Sequence, residues 1–131
     1  MEKNTTFRLG GRWFERVKCN SIERELYWTN LVHRAQLDVM TPRPDETEEQ
    51  YLDRVRIRLI SHGVYVEFLC TQVVPRGARW TVEGHREVVE YIGGVWNGKD
   101  KAFVYGLFPA VARELLEGGT IAPWRPGGSR R

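Results

Sequence analysis

Hydrophobic and polar residues alternate near the start of the chain and then change to a helical spacing. Phe7 and Leu9 flank Arg8, a pair of glycines follows, and a second apolar run begins at Trp13. Because adjacent glycines accept the positive φ angles of a tight two-residue turn, residues 5–18 are predicted to form a β-hairpin. A lone hairpin is marginal in water, so this one must pack on helices or on another subunit.

Two helices are predicted in the next part of the chain. The first begins after Asn20, which is expected to cap it, and ends near Asp38. Its apolar residues recur every three or four positions, as one buried stripe requires, and are Ile22, Leu26, Tyr27, Leu31 and Ala35. The second begins at Asp45 or Thr47 and ends at Gly63. Its expected core stripe is Tyr51 or Leu52, Val55, Leu59 and Ile60.

The second half of the chain is predicted to be helical with one ambiguous segment. Residues 64–74 are rich in β-branched side chains, which favours a strand, but their apolar spacing also fits a helix. We favour the helix because the neighbouring elements are helical. Thr81 is expected to cap a further helix, and a last helix is predicted over residues 100–117. Pro109 should kink or split that helix, which is apolar on most sides.

These elements predict a mainly α-helical domain of four to five helices with an N-terminal β-hairpin. The domain is expected to cover residues 1–117, and the Pro/Gly/Arg-rich residues 118–131 are expected to form a flexible tail. A chain of 131 residues with 41% hydrophobic and 28% charged residues fits one globular domain. No apolar run reaches the roughly 18 residues that a membrane span needs, and no apolar leader is present, so we expect no membrane partner.

The distribution of charge argues against nucleic acid as a partner. The chain contains 20 basic and 17 acidic residues, for a formal net charge of +3. Three arginines in residues 118–131 account for all of this excess, so residues 1–117 are balanced. A uniformly basic surface that could hold phosphates is therefore not supported.

Motifs for catalysis are missing from the sequence. His33, His62 and His85 lack the spacing that converging metal ligands need, and no nucleophile elbow or phosphate-binding glycine pattern occurs. His62 stands just before Gly63, where an imidazole favourably contacts the last carbonyl groups of a helix. We therefore expect a non-enzymatic protein with no cofactor and no bound metal.

Aromatic and arginine side chains are the usual anchors of protein–protein interfaces. Such residues occur here in the hairpin, in the last helix and in the tail. Trp124 stands beside Arg125 in a segment with no core of its own, and it either contacts a partner or folds back over the domain. The candidate protein-binding residues are Phe7, Trp13, Phe14, Phe103, Phe108, Trp124 and Arg125.

Several short segments occur in a suggestive order along the chain. The hairpin reads Phe-x-Leu-Gly-Gly-x-x-Phe from Phe7 to Phe14. It is followed by Asn-Ser-Ile-Glu at 20–23, Glu-Glu-Gln-Tyr at 48–51, a glycine at 63, Val-Pro at 74–75 and Trp-Thr-Val-Glu at 80–83. This order, which spans most of residues 7–117, resembles the tail assembly chaperones of long-tailed bacteriophages. The resemblance implies a small helical protein that binds the tape-measure protein, or other tail proteins, in the host cytoplasm without catalysis or cofactor. It leaves homo-oligomerisation open.

Two other functions stay open on the sequence. The unusually apolar last helix and the Arg-rich tail depart from the family's pattern, which leaves room for a structural or adaptor protein that stays in the virion. A small protein that binds nucleic acid or a host factor through Trp124 and the three tail arginines is the second alternative.

Overall fold

A computed structural model describes residues 6–94 and 98–124. In these ranges the chain forms three strands, Thr6–Leu9 (β1), Arg12–Arg16 (β2) and Val73–Pro75 (β3). It also forms six α-helices, Ile22–Ala35 (α1), Glu48–Ser61 (α2), Tyr65–Cys70 (α3), Val82–Gly94 (α4), Gly98–Tyr105 (α5) and Phe108–Glu117 (α6). A short 3-10 helix, Leu37–Val39, follows α1. The mainly helical class with an N-terminal hairpin is confirmed.

The hairpin has the predicted turn and gains a third strand. Gly10 and Gly11 adopt φ angles of 60° and 94°, and β1 pairs with β2 so that Phe7 faces Phe14. Strand β3 then pairs antiparallel with β2, in the order β1-β2-β3. The expected helix over residues 64–74 is therefore confirmed only for α3. Its end becomes a strand because the folded hairpin offers free hydrogen-bonding groups on β2.

The first helix has a different N-cap residue and a different buried face from those predicted. Ser21, not Asn20, is its N-cap, and the Ser21 Oγ accepts a hydrogen bond from the Arg24 backbone at 3.1 Å. The helix ends at Ala35 because Gln36 adopts a left-handed conformation. The prediction that Ile22 and Leu26 belong to the core is wrong, since they are 77% and 67% exposed. Leu31 and Ala35 are buried as predicted, together with Trp28 and Val32.

The second helix follows its predicted start and most of its predicted core stripe. Thr47 caps it in a reciprocal capping box with Gln50, and Gly63 just after its end has a φ angle of 72°. Tyr51, Val55 and Leu59 are buried, as predicted. Ile60 is not a core residue, because it is 49% exposed at the edge of an open surface groove.

Pro109 splits the last predicted helix in two. In a continuous helix the backbone nitrogen of residue 109 would donate to the carbonyl oxygen of Tyr105, and proline has no hydrogen to donate. Helix α5 accordingly ends at Tyr105, and α6 starts again at Phe108 with the proline in its first turn. The chain turns between them, which opens the surface at this junction.

The first part of the predicted tail is folded onto the domain. Ile121 is only 1% exposed. The Tyr51 hydroxyl donates a 2.6 Å hydrogen bond to the Ala122 carbonyl oxygen, and the Trp124 indole donates a 2.8 Å bond to the Glu46 carbonyl oxygen. The domain therefore extends to Trp124 rather than ending at residue 117. The remainder of the predicted tail, including Arg125, lies outside the described residues.

Candidate protein-binding site

An open groove of about 920 Å³ lies where the end of α2, the start of α3, α4 and the α5–α6 junction meet. Most of the side chains along it are apolar or aromatic. The residues that line it are Arg56, Ile60, Gly63, Tyr65, Val66, Glu67, Val89, Tyr105, Gly106, Phe108 and Pro109. An apolar concavity of this size on a small domain is typical of a ligand or partner site.

Two breaks in the helical chain create the groove. On one side, Gly63 reverses the chain between α2 and α3 with a positive φ angle that favours glycine. On the other side, Gly106 and Pro109 separate α5 from α6. Where one helix stops and the next departs in a new direction, side chains cannot close over the junction, and the groove remains open.

Aromatic rings form one wall of the groove. The Tyr65 ring centre lies 5.5 Å from that of Tyr105 and 6.1 Å from that of Phe108, distances usual for packed rings. Tyr65 itself is buried, whereas Tyr105 and Ile60 are exposed. The groove therefore presents apolar surface to solvent, and covering that surface would be favourable.

The charged groups at the rim already have partners. Arg56 donates to the Asp53 carboxylate. Glu67 accepts hydrogen bonds from the Tyr27 hydroxyl at 2.9 Å and from Arg34 at 3.1 Å. Burial raises the pKa of Tyr27 to about 12, and the hydrogen bond to Glu67 adds to this effect. Because these charges are satisfied within the chain, burial of apolar surface would dominate binding in the groove.

The structure places the seven predicted binding residues in separate regions. Phe108 is in the groove. Phe7 and Phe103 meet where the hairpin touches α5, with ring centres 4.3 Å apart. Trp13 is exposed on the opposite face of the sheet from Phe7.

Three of the predicted binding residues take other roles or lie elsewhere. Phe14 is completely buried in the core, so it cannot touch a partner, and its proposed binding role is wrong. Trp124 is half-buried and bonded to the body of the domain, which corresponds to the alternative of a folded-back tryptophan. Arg125 lies outside the described residues.

The residues that give the groove its character are not apparent from the sequence. Apolar periodicity assigns Ile60 to the core, and it does not single out Tyr65 or Tyr105 as binding residues. The one signal in the sequence is the pair of helix breaks at Gly63 and Pro109, since chain reversals between apolar helices leave side chains uncovered. That signal does not show that the two breaks lie side by side in space.

His85 is buried between two aromatic rings. Its ring centre lies 4.8 Å from that of Tyr27 and 5.4 Å from that of Trp80. Neither ring nitrogen makes a well-formed hydrogen bond, although the imidazole contacts the backbone of Cys70. Burial lowers the pKa of His85 to about 4, and Glu67 opposes this effect.

This buried imidazole predicts an acid-sensitive stability. Between pH 6.5 and about 4 the unfolded chain binds a proton at His85 and the folded chain does not, so the free energy of unfolding falls as the pH falls. The expected loss across this window is about 3 kcal/mol. Urea unfolding at several pH values measures it. The His85→Phe variant keeps an aromatic ring and should have a flatter pH profile, and an unchanged profile would contradict the prediction.

The described ranges contain neither a metal-holding cluster nor a membrane-spanning helix. Within residues 6–94 and 98–124, no group of three or more His, Cys, Asp or Glu side chains is arranged to hold a metal ion. None of the helices in the same part of the chain combines the length and apolar character needed to cross a membrane.

The chain was compared with protein-family models, curated proteins and solved structures. No family model matches it, and no curated protein or solved structure shows significant similarity to it.

Proposed function

We propose that this chain is a non-enzymatic protein-binding protein that assists the assembly of a bacteriophage tail. In this proposal it takes an apolar segment of the tape-measure protein into the groove between α2, α3 and the α5–α6 junction, in the host cytoplasm. The open apolar groove is the observation that supports the mode of binding. The identity of the partner is supported by the order of sequence segments that resembles tail assembly chaperones.

The chemistry of the groove favours a protein segment over a small polar molecule. Sites for small metabolites place several polar groups so that they converge on the ligand. Here the two charged rim residues, Arg56 and Glu67, are engaged with neighbours, and the wall consists of aromatic and aliphatic side chains. An amphipathic helix that presents apolar residues three and four positions apart fits such a surface.

A charge placed in the groove should prevent partner binding. Ile60→Glu puts a carboxylate on the exposed apolar rim, so we expect the affinity for the purified tape-measure protein to fall at least about tenfold. Isothermal titration calorimetry measures this change. The matched control is Ile57→Glu, the same substitution in the same helix, at a residue of similar exposure that does not line the groove.

Comparing the two variants distinguishes an effect of charge in the groove from an effect of charge anywhere on the surface of α2. The control is expected to bind within about twofold of the unchanged chain. Equal loss in both variants, or full affinity in Ile60→Glu, would contradict a role for the groove. Circular dichroism of both variants verifies that they are folded.

Particle composition tests the alternative of a virion structural protein. A chaperone leaves when the tail is complete, so mass spectrometry of purified particles should find the chain absent or far below one copy per tail. Many copies per particle would overturn the chaperone proposal and favour a structural or adaptor role.

A further inference from the structure

The fold gathers basic residues that are far apart in the sequence. Segments 6–18 and 73–80 come together around the three-stranded sheet, and Glu15 is their single acidic residue. Their six basic residues are Arg8, Arg12, Arg16, Lys18, Arg76 and Arg79. Since residues 1–117 sum to zero, the remainder of that range carries a formal charge of −5. The zero net charge of residues 1–117, which argued against nucleic acid as a partner, therefore includes a local excess of positive charge on these two segments.

An exposed tryptophan lies between Arg8 and Arg76 on one face of this sheet, whereas Arg12 packs on the Phe14 and Tyr91 rings of the other face. Trp13 on β2 is the cross-strand partner of Arg8 on β1, and its carbonyl oxygen accepts a 3.1 Å hydrogen bond from the backbone of Arg76. The guanidinium carbons of Arg8 and Arg76 lie 5.5 Å and 5.4 Å from the indole centre. The three side chains thus form a strip across the face of the sheet that points away from Phe14, and Trp13 is 44% exposed.

These guanidinium groups have no carboxylate partner in the part of the chain that the structure describes. Among the described residues, no Asp or Glu lies within ion-pair distance of Arg8, Arg12 or Arg76. Glu15, the acid of the sheet, instead accepts a 2.9 Å hydrogen bond from the backbone of Gly77 and lies 3.9 Å from Lys18. Glu15 lies on the same face as Trp13, but it is engaged by Gly77 and Lys18, so the strip offers two guanidinium groups around an indole that is partly exposed.

We propose that this Arg8–Trp13–Arg76 strip binds single-stranded nucleic acid. Guanidinium groups pair with phosphate oxygens, and an exposed indole stacks on unpaired bases, which is the usual combination in proteins that bind single strands. A duplex would use the charges but not the ring, because its bases are stacked inside. An acidic peptide would likewise leave the indole without a partner. Single-stranded nucleic acid is the polyanion that uses all three side chains.

The strip and the groove are separate features. The strip lies on the outer face of the sheet, whereas the groove is lined only by residues of the helices and their junctions. Binding of nucleic acid goes beyond the proposed chaperone function, and each can fail without the other.

Fluorescence anisotropy of a labelled oligothymidylate of about 15 nucleotides, titrated with the full chain, tests the proposal. We expect binding at about 50 mM salt that weakens steeply by about 200 mM. Arg8→Glu with Arg76→Glu should lower the affinity at least about tenfold and reduce the salt dependence. Trp13→Ala should lower it about fivefold to a hundredfold through loss of stacking.

Two controls distinguish the strip from general electrostatic attraction. Arg113→Glu with Lys101→Glu makes the same change of charge at exposed positions on α6 and α5, and should bind within about twofold of the unchanged chain. A labelled polyglutamate of similar length should bind more weakly than the oligonucleotide. No binding at low salt, equal loss in the control, unchanged affinity in Trp13→Ala, or tighter binding of polyglutamate would each overturn the proposal, the last in favour of an acidic protein.

Discussion

Removal of the residues after Glu117 is expected to lower the free energy of unfolding by about 4 kcal/mol. Ile121 is almost completely buried, and deleting a buried side chain of this size costs about 2–5 kcal/mol. The truncation also leaves the buried Tyr51 hydroxyl without the Ala122 carbonyl oxygen, its 2.6 Å partner. It further removes the Trp124 indole from Glu46.

Urea unfolding followed by tryptophan fluorescence and circular dichroism measures this loss. Ile121→Ala in the full chain should reproduce more than half of it, because the buried isoleucine is the largest single contribution. Leu26→Ala, a change at an exposed apolar residue of α1, is the control and should cost less than about 0.5 kcal/mol. If the truncated chain is as stable as the full chain, residues 118–124 are not part of the domain.

Arg24→Ala is expected to destabilise the domain by about 3 kcal/mol. Arg24 is 3% exposed, and its guanidinium group donates to the Glu114 carboxylate at 2.8 and 3.1 Å and to the Thr71 carbonyl oxygen at 3.0 Å. It thereby connects α1 with α6 and with the segment before β3. Removing the guanidinium group leaves the half-buried Glu114 carboxylate without its cation. The resulting loss in the free energy of unfolding exceeds the net stabilisation that the ion pair provides.

The ionisation of Glu114 gives a second readout of the same substitution. Burial alone would raise the pKa of this carboxyl, but hydrogen bonds from Arg24 and Gln72 hold its pKa below the usual value. In Arg24→Ala the pKa of Glu114 should rise. Arg34→Ala is the control, because Arg34 pairs with Glu67 at 3.1 Å but is about half exposed, and its loss should cost less than about 1 kcal/mol. Equal costs for the two substitutions would contradict the assigned role of Arg24.

Local patterns are predictable from the sequence, and contacts between distant segments are not. The Gly10–Gly11 turn, the Thr47 cap and the break at Pro109 each depend on a few adjacent residues, and all three are present. Strand β3 depends on a hydrogen-bonding edge about sixty residues earlier in the chain. The helical spacing within 64–74 is therefore correct for α3 and carries no information about the strand after it.

The buried face of α1 and the two candidate sites also depend on contacts between distant segments. Apolar periodicity identifies a buried face of α1 but assigns Ile22 and Leu26 to it, because it cannot show that the charged Arg24 is drawn inward by Glu114. The groove forms because the fold places Ile60 and Tyr105 along the same concavity. The basic strip forms because the fold places Arg76 against Trp13 of the hairpin. Such sites arise from the fold and have no contiguous motif.

Site-specific photo-crosslinking in cells that are assembling tails tests the central proposal most directly. A photoreactive amino acid at position 60 lies in the groove, and one at position 26 replaces an exposed leucine of α1 outside it. The proposed function predicts that position 60 crosslinks to the tape-measure protein and that position 26 does not, with the crosslinked peptides identified by mass spectrometry. Crosslinks to the tape-measure protein from position 26 alone, or from neither position, would contradict the groove as its binding site.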